Sequence, residues 1–539
     1  MPEVARGQIS LKATILLGVL LGTFVLLQCG LPLRTAIKIG ADEDFELAKA
    51  TLSLKGYHFY TEVWNDQPLL HTFLITQFLK RLSPSVLGPR LVTSAFAILL
   101  LTSLFFISLR ISGLLVAALA TGLLIVSPGF LELSSSCMVE VPGLAPAVAG
   151  MCVVLIGSRW RGHVADIVAG ILFAVALQVK FIGLIYLPIA GLVLWLRHRE
   201  TKPNAPTPAP SKGGESRKVG TATNSVPLPG GARGGFMDAG EGTATTPSRF
   251  FPRSIVRSLL FFAASLGASF IVIQLLVGES SLWVELKQSW FSHFAATKSF
   301  EYGSPNDHPF EWAIFLKNWD TTTPALLGIV VCLLQIHKTH AAIIPLTWFA
   351  LDLVVFGIHK PWWAYYYVHN AVPLCWCAAI GLEALWKKAN SRRSSTLFAL
   401  ATMYVLCAGG WMASRVYLQV TGIQNSPQTY HSLVLSEIER FKPFTQFIYT
   451  DELIYSFHTG IPVPPKLGTI SLKRLWSADM TNEKIAAELW ATKPGLILLA
   501  NNTRAVPFHD LLTSEYRLAY EDDKHRLYAR KDVIAQIKY

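Results

Sequence analysis

Charged side chains are scarce in this sequence. Asp, Glu, Lys and Arg make up 15% of its 539 residues, against roughly 25% in an average soluble domain. This deficit excludes, as the main interpretation, a water-exposed globular enzyme, a disordered protein and a nucleic-acid-binding protein. The net charge of +12 would favour nucleic acid, but much of it lies in short loops between apolar blocks, where the positive-inside bias of membrane proteins explains it.

The sequence also lacks the signals of a metal or redox centre. Its seven cysteines form no CxxC pair, and no Cys/His spacing is typical of a metal site. Only Cys137 lies in a candidate loop, and the others lie in or beside apolar blocks. We interpret them as small buried apolar residues and expect no cofactor, with a divalent cation as the one alternative left open.

Apolar residues, in contrast, make up 52% of the chain and are grouped in blocks of about 17 to 25 residues, the length that crosses a bilayer. Eleven candidate spans result: 11–29, 90–108, 113–130, 141–157, 164–179, 182–196, 255–277, 322–336, 341–358, 368–386 and 396–416. The stretch 164–196 would be about 50 Å long as one helix, too long for one crossing, so we predict two spans hinged near Lys180. The first block is followed by no Ala-x-Ala cleavage site and is predicted to be an uncleaved span. The Lys and Arg residues of alternate short loops place the N-terminus inside and the C-terminus outside.

Two segments differ from the rest. Residues 201–250 are rich in Pro, Gly, Ser, Thr and Ala and are predicted to be a disordered cytoplasmic linker. Residues 424–539 are charged, with strands predicted in 444–451 and 494–502 and a helix at 482–492 between them. The fold class is therefore an all-α polytopic membrane bundle with a small C-terminal α/β extracytoplasmic domain, with domains at 1–416 and 424–539.

The first outer loop, about 30–88, is the most informative for function. Asp42, Glu43, Asp44 and Glu46 are four acids in five residues. Clustered carboxylates suit a general base or a cation site. Alternatively, Asp42 caps a helix over 43–54, and the two interpretations are compatible. Farther along, Pro68 presets a turn before an amphipathic helix at 69–82, which would be an interfacial brace or the wall of a lipid groove.

Later loops carry weaker candidates. Glu140 at a span end and Lys180 at the hinge either face a functional cavity or extend to water. Asp307 and His308 could bind a sugar or a cation, although a plain turn is favoured because no second ligand falls at metal spacing. The aromatic residues at 362–367 fit either a membrane-interface belt or sugar stacking.

Several of these segments, in chain order, carry a resemblance to a known family. The segments are Asp42-Glu43-x-Phe45-x-x-Ala48, Asp66-Gln67-Pro68-Leu69, Gly88-Pro89-Arg90-Leu91, Met138-Val139-Glu140-Val141-Pro142, Leu177-Gln178-Val179-Lys180 and His359-Lys360-Pro361 with Tyr365 to Tyr367. Together they resemble the outer loops of GT-C membrane glycosyltransferases of the protein O-mannosyltransferase and aminoarabinose-transferase type (glycosyltransferase family 39-like), over roughly residues 1–390. Two departures stand out: Gln67 replaces a basic residue before Pro68, and no Arg follows Glu43.

The resemblance implies a glycosyltransferase that uses a polyprenyl-phosphate sugar and inverts the anomeric centre on the outer face. Asp42 would be the general base, and the acceptor would be a lipid, a glycan or a protein. The implied site residues are Asp42, Glu43 and Glu140 for catalysis; Arg90, Lys180, His359 and Lys360 for the donor phosphate; and Asp66, Gln67, His308 and Tyr366 for substrate. The absence of disulfide-type cysteines and of an endoplasmic-reticulum retention tail favours a bacterial inner membrane. The alternative is a transporter or flippase, which predicts internal repeats and broken helices; no repeat is evident. A non-catalytic scaffold would leave the acidic loop unexplained.

Overall fold

The computed structural model describes residues 10–82, 85–157, 163–200, 253–278, 281–288, 302–336, 339–391, 395–501 and 508–537. The predicted linker 201–250 lies outside the described residues.

Helices dominate the N-terminal four-fifths of the chain. The first ten are α1 (Leu11–Cys29), α2 (Glu43–Leu54), α3 (Leu70–Leu82), α4 (Leu87–Ser112), α5 (Leu114–Ile125), α6 (Phe130–Ser135), α7 (Glu140–Ile156), α8 (Val164–Val179), α9 (Leu187–Glu200) and α10 (Arg253–Val277). The next six are α11 (Leu282–Leu286), α12 (Ala313–Lys317), α13 (Trp319–Gln335), α14 (Ile343–Ile358), α15 (Tyr367–Ser391) and α16 (Ser395–Gln424).

Every predicted span is occupied by a helix: α1, α4, α5, α7, α8, α9, α10, α13, α14, α15 and α16. Within the described ranges, six helical stretches are long and apolar enough to cross a membrane, and α5, α7, α8 and α13 are shorter apolar helices. The prediction 113–130 was too long, because α5 ends at Ile125 and Gly129 adopts a left-handed φ of 71°. Pro128 disfavours helical geometry in the residue before it, and glycine tolerates positive φ, so the chain turns here.

The predicted hinge near Lys180 is confirmed. Helix α8 ends at Val179, and Lys180 is extended, with φ −154° and ψ 126°. A 3-10 turn, Phe181–Tyr186, then leads into α9. The break places the lysine side chain at the junction of two short helices instead of inside one long one.

Small residues and ion pairs both contribute to the packing of the bundle. A Cβ atom at Gly328 would collide with the Cys377 carbonyl, and one at Gly381 with the Pro324 carbonyl, so α13 and α15 cross almost backbone to backbone. Helix α16 is held to α13 by Arg415 Nη2, 2.8 Å from Asp320 Oδ2.

The C-terminal unit, residues 433–501 and 508–537, is a mixed α/β layer. Its elements are α17 (Leu433–Phe441), β1 (Ile448–Thr450), α18 (Ile454–Thr459), α19 (Leu472–Trp476), α20 (Asn482–Thr492), β2 (Leu496–Ala500), α21 (His509–Glu515), β3 (Tyr516–Glu521), β4 (His525–Arg530) and α22 (Lys531–Gln536). The sheet order is β1-β2-β4-β3, with β1 and β2 parallel and the other pairs antiparallel. The two predicted strands and the helix between them are confirmed, whereas the β3–β4 hairpin was not predicted.

This unit shares a hydrophobic core with the loop between α1 and α4. Leu47 of α2 and Ile75 of α3 are buried in one cluster with Ile438 of α17, Leu496 of β2 and Leu527 of β4. The loop that carries the acidic segment is therefore packed between the helical bundle and the C-terminal sheet, which fixes the position of Asp42.

Candidate active site

Asp42 is the residue immediately before α2. It occupies the N-cap position, with φ −101° and ψ 12°, but its side chain accepts no hydrogen bond from the start of the helix. Its carboxylate instead accepts a hydrogen bond from the Tyr365 hydroxyl and interacts with the charges of Glu140 and Lys180. Helix capping therefore does not explain this carboxylate, which belongs to a cluster formed by distant parts of the chain.

The environment of Asp42 raises its pKa. Burial and, next, the Glu140 carboxylate raise the pKa of this carboxyl group, the Tyr365 hydrogen bond and Lys180 oppose the rise, and the resulting pKa is about 6. A carboxylate with a pKa near neutrality is ionised at physiological pH and yet basic enough to accept a proton in a transition state.

Glu140 and Lys180 form a buried ion pair beside Asp42. Lys180 Nζ lies 2.6 Å from Glu140 Oε1, and the side chains are 8% and 2% exposed. Gly143, one turn after Glu140, allows the approach, because a Cβ atom there would lie only 3.0 Å from Lys180 Cβ. Both residues thus turn inward to the cluster, and neither extends to water.

Aromatic side chains cover this ion pair. Lys180 Nζ lies 4.9 Å from the ring centroid of Tyr366 and 5.9 Å from that of Tyr365, which is within cation–π range. The Tyr366 ring in turn lies 5.9 Å from the His359 ring. Burial, together with the charges of Lys473 and Lys180, lowers the pKa of His359 to about 4. His359 is therefore a neutral imidazole at physiological pH.

Asp66, at the edge of the same cluster, pairs with a residue of the C-terminal unit. Lys473 Nζ of α19 lies 2.7 Å from Asp66 Oδ2, and both side chains are largely buried. Gln67 follows, with its backbone carbonyl fixed by the Tyr60 hydroxyl at 2.6 Å and by Asn65 Nδ2. The turn before α3 is thus held rigidly at the edge of the cluster.

Glu43 and Arg90, two of the predicted site residues, have a different environment. Both side chains are 0% exposed, and Arg90 Nε lies 2.8 Å from Glu43 Oε1. Arg90 also donates to the Leu33 and Ala36 carbonyls, at 2.7 and 3.0 Å, and Glu43 accepts from the Ile39 amide at 2.7 Å.

Burial alone would raise the pKa of Glu43, but Arg90 and the backbone amides outweigh it and lower the pKa. Because the two side chains are engaged with each other and with the backbone, they have no exposed surface for a substrate. Their geometry is that of a brace that ties the start of α2 to α4.

The remaining predicted residues lie at the periphery. The exposed Lys360 Nζ lies 3.3 Å from Asn306 Oδ1. The His308 ring lies 4.7 Å from the ring of Trp363 and 5.9 Å from that of Trp476. Asp307 closes a capping box on the 3-10 turn Pro305–Asp307, which agrees with the turn interpretation. Among the residues that the structure describes, no group of three or more His, Cys, Asp or Glu could hold a metal ion.

Comparisons with known proteins agree with this architecture. The model of the dolichyl-phosphate-mannose-protein mannosyltransferase family matches residues 80–199, a range that contains Glu140 and Lys180. The solved structure of ArnT from Cupriavidus metallidurans in the apo state superposes with a TM-score of 0.58 at 12% identity, over 96% of this chain and 98% of that one. The chain has a GT-C glycosyltransferase fold.

Two further structures support the GT-C fold. ArnT from Cupriavidus metallidurans bound to undecaprenyl phosphate gives a TM-score of 0.56 at 12% identity, over 95% of this chain and 97% of that one. The oligosaccharyltransferase AglB from Archaeoglobus fulgidus, in complex with an inhibitory peptide and a dolichol-phosphate, gives 0.53 at 11% identity, over 91% and 70%. A comparison with curated protein sequences gives no match.

Within this GT-C fold, the structure brings together Asp42, Glu140, Lys180, Tyr366, His359 and Asp66, whereas Glu43 and Arg90 form a separate buried pair. Sequence reasoning missed Lys473, which pairs with Asp66 across 407 residues of sequence. No local pattern marks Lys473. Tyr365 was considered as part of an aromatic belt or a sugar-stacking surface and within the family resemblance, but not as a partner of Asp42, which its hydroxyl contacts.

Proposed function

We propose that this protein is an integral-membrane glycosyltransferase that moves a sugar from a polyprenyl-phosphate donor to an acceptor on the outer face, with inversion at the anomeric carbon. The observation that carries the proposal is the Asp42 carboxylate, with a pKa near 6, beside the buried Glu140–Lys180 pair. The printed descriptions of the similar structures, an ArnT bound to undecaprenyl phosphate and an AglB with a dolichol-phosphate, support a lipid-phosphate donor.

The reaction is one displacement. An acceptor oxygen attacks the anomeric carbon and forms the new glycosidic bond, while the bond from that carbon to the phosphate oxygen breaks and its electron pair leaves with the phosphate. Asp42 accepts the proton of the acceptor group. This task suits a carboxylate whose pKa is about 6, because proton transfer is most efficient when the pKa of the base lies near the working pH.

The second carboxylate of the cluster has another task. Glu140 Oε1 is held 2.6 Å from Lys180 Nζ, so we assign Glu140 the task of orienting the lysine. A single displacement needs only one carboxylate, here Asp42 as the base, and forms no glycosyl-enzyme intermediate, so the proposal includes inversion.

We assign Lys180 the task of stabilising the negative charge that develops on the leaving group. The donor is a phosphate diester with one negative charge, and the departing polyprenyl monophosphate acquires a second. A preorganised cation in a largely buried site stabilises such developing charge strongly. The Tyr365 and Tyr366 rings beside Lys180 keep it oriented and exclude water.

The proposed location follows from the donor. A polyprenyl chain stays in the bilayer, so its phosphate lies at the interface, at the level of the loops that carry Asp42 and Glu140. We place these loops and the C-terminal unit on the extracytoplasmic side of a bacterial inner membrane. The bias of Lys and Arg toward the opposite loops supports this orientation.

The test uses purified full-length protein in lipid nanodiscs with a panel of radiolabelled undecaprenyl- and dolichyl-phosphate sugars, and with lipid, glycan and protein acceptors. We expect transfer of label to one acceptor class, release of polyprenyl phosphate, and a product of inverted anomeric configuration by NMR. A flippase would move the intact lipid across a liposome membrane without cleaving the sugar–phosphate bond. Transport without cleavage would therefore refute the proposal.

A further inference from the structure

Helix α19 of the C-terminal unit reaches into the edge of the cluster. Lys473, its second residue, is 14% exposed and pairs with Asp66, which is 13% exposed. A lysine that is mostly removed from water is costly unless its charge is used or compensated. Asp66 provides this compensation, so the lysine is held largely buried at the edge of the cluster.

Contacts on both sides fix α19 in place. Arg474 lies 5.1 Å above the Trp64 ring of the first loop and donates to the Thr469 carbonyl at 2.7 Å. Trp476 Nε1 donates to the Tyr302 carbonyl at 2.8 Å, and its ring faces His308. The ammonium group of Lys473 is thus presented by a rigid support that bridges two loops of the membrane part.

The cationic side chains around the Asp42 cluster differ in whether a ligand can reach them. The Arg90 guanidinium is 0% exposed and makes hydrogen bonds to Glu43 and to two backbone carbonyls, and Lys360 points to Asn306 at the surface. Lys180 and Lys473 both act on the same imidazole, that of His359. Geometry places both lysines at the loop that carries the tyrosines: Lys180 lies against the rings of Tyr365 and Tyr366. Helix α19 reaches the same loop through Trp476, whose ring lies 5.9 Å from that of His308, which in turn lies 4.7 Å from the Trp363 ring.

We propose that Lys473 is a phosphate-binding residue of the donor site, supplied by the C-terminal unit, and that it forms a two-lysine clamp with Lys180. The inference rests on the proposed function and adds a role for the C-terminal unit. Asp66 holds Lys473 in position when the site is empty. When the donor phosphate enters, the Lys473 ammonium group leaves the Asp66 carboxylate and binds phosphate oxygens. A lysine can do this because its side chain is flexible and its ammonium group is a point charge.

The experiment measures binding without turnover. Undecaprenyl phosphate and uncharged undecaprenol are titrated against full-length protein in nanodiscs, using wild type, Lys473→Ala, Lys473→Arg and the control Lys466→Ala, whose lysine lies in the same unit and is 70% exposed. Loss of one charge-assisted hydrogen bond weakens binding by roughly 10- to 100-fold. We expect that loss for undecaprenyl phosphate with Lys473→Ala, near-native affinity with Lys473→Arg and Lys466→Ala, and unchanged undecaprenol binding throughout.

Asp66→Asn gives a test of opposite sign. If Asp66 only stabilises the fold, the variant loses affinity or stability. If it competes with phosphate for Lys473, the variant binds undecaprenyl phosphate more tightly than wild type, and this gain is what we expect. Equal affinity of wild type and Lys473→Ala for undecaprenyl phosphate overturns the inference alone, as does an equal loss for undecaprenol. Wild-type protein that fails to distinguish the phosphate from the alcohol overturns the proposed function as well.

Discussion

Replacing Asp42 with Asn should make the protein inactive and more stable at the same time. The pKa of Asp42 rises from 3.8 to about 6 on folding, roughly 2 units, and each unit corresponds to about 1.4 kcal/mol. Above pH 6 the carboxylate is ionised in both the folded and the unfolded chain, so the fold carries a cost of at most about 3 kcal/mol. As the pH falls through 6 the folded form takes up a proton and the cost shrinks, and below 3.8 it is gone.

Asn has the same shape and no charge, so it removes this cost at neutral pH. The expected gain in unfolding free energy is up to about 3 kcal/mol at pH 7.5 and close to zero near pH 4. For a chain of this size it corresponds to a rise in Tm on the order of 3 °C. Sugar transfer should fall about 10²- to 10⁴-fold, because a general base contributes that much.

Thermal unfolding in nanodiscs at pH 7.5 and pH 4, together with initial rates of transfer, measures both effects. Asp44→Asn is the matched activity control, since Asp44 pairs with Lys38 at 2.9 Å, and it should retain its rate. An Asp42→Asn variant with full activity would refute the catalytic assignment. A variant that loses activity and stability together would show that the carboxylate has a structural task.

Three other perturbations probe the surroundings of Asp42. Glu140→Gln removes a charge that raises the pKa of Asp42 and releases Lys180. The acidic limb of the pH dependence of kcat/KM should therefore move down from about pH 6 by on the order of one unit. If this limb does not move, the coupling between Glu140 and Asp42 is contradicted. Glu43→Gln leaves the buried Arg90 charge without its partner and should lower the unfolding free energy by about 3–5 kcal/mol. Thermal or denaturant unfolding measures this loss. The control Glu62→Gln, at the surface, should shift the unfolding free energy by less than about 0.5 kcal/mol. Deletion of residues 203–248 should leave membrane insertion and activity nearly unchanged, because their composition predicts no folded core; a protease-resistant fragment from this stretch would argue otherwise.

The sequence predicted the architecture well wherever the physics is local. Hydropathy over 17 to 25 residues is set by the bilayer itself, so each predicted span is occupied by a helix, and the length argument correctly split the chain at Lys180. Some ends were misplaced: α5 ends at Ile125 and not at 130, and α16 continues to Gln424 and not to 416. The turn before α3 and the strands β1 and β2 also follow from local patterns. The β3–β4 hairpin was missed because its strands, Tyr516–Glu521 and His525–Arg530, are rich in charged residues. The signal available was the alternation in β3, where Tyr516, Leu518 and Tyr520 occupy every second position.

The site was predicted only in part. Asp42, Glu140 and Lys180 lie in one cluster, as expected of acids and a lysine beside the membrane. Glu43 shares the motif with Asp42 but points to Arg90 and away from the cluster, because neighbouring side chains at the start of a helix are separated by about 100°. No adjacency rule distinguishes a catalytic acid from a bracing acid next to it. Lys473 could not have been predicted, since its partner Asp66 is 407 residues away and only the folded chain joins them.

The shared core of the first loop and the C-terminal sheet imposes an order on biosynthesis. The Thr35 hydroxyl donates a hydrogen bond to the Gln428 side-chain oxygen, 393 residues away in sequence. The His458 ring is hydrogen-bonded to the Ile37 carbonyl, 421 residues away. At roughly 5–20 residues per second, the ribosome needs about 20–80 s between the two halves of this contact. The acidic loop is thus synthesised early, and the C-terminal sheet that packs against it is complete only at the end of translation. A nascent chain that terminates before β4 lacks Leu527 and Ala529 of that core, so the acidic loop of such a truncated product lacks part of the packing that positions Asp42.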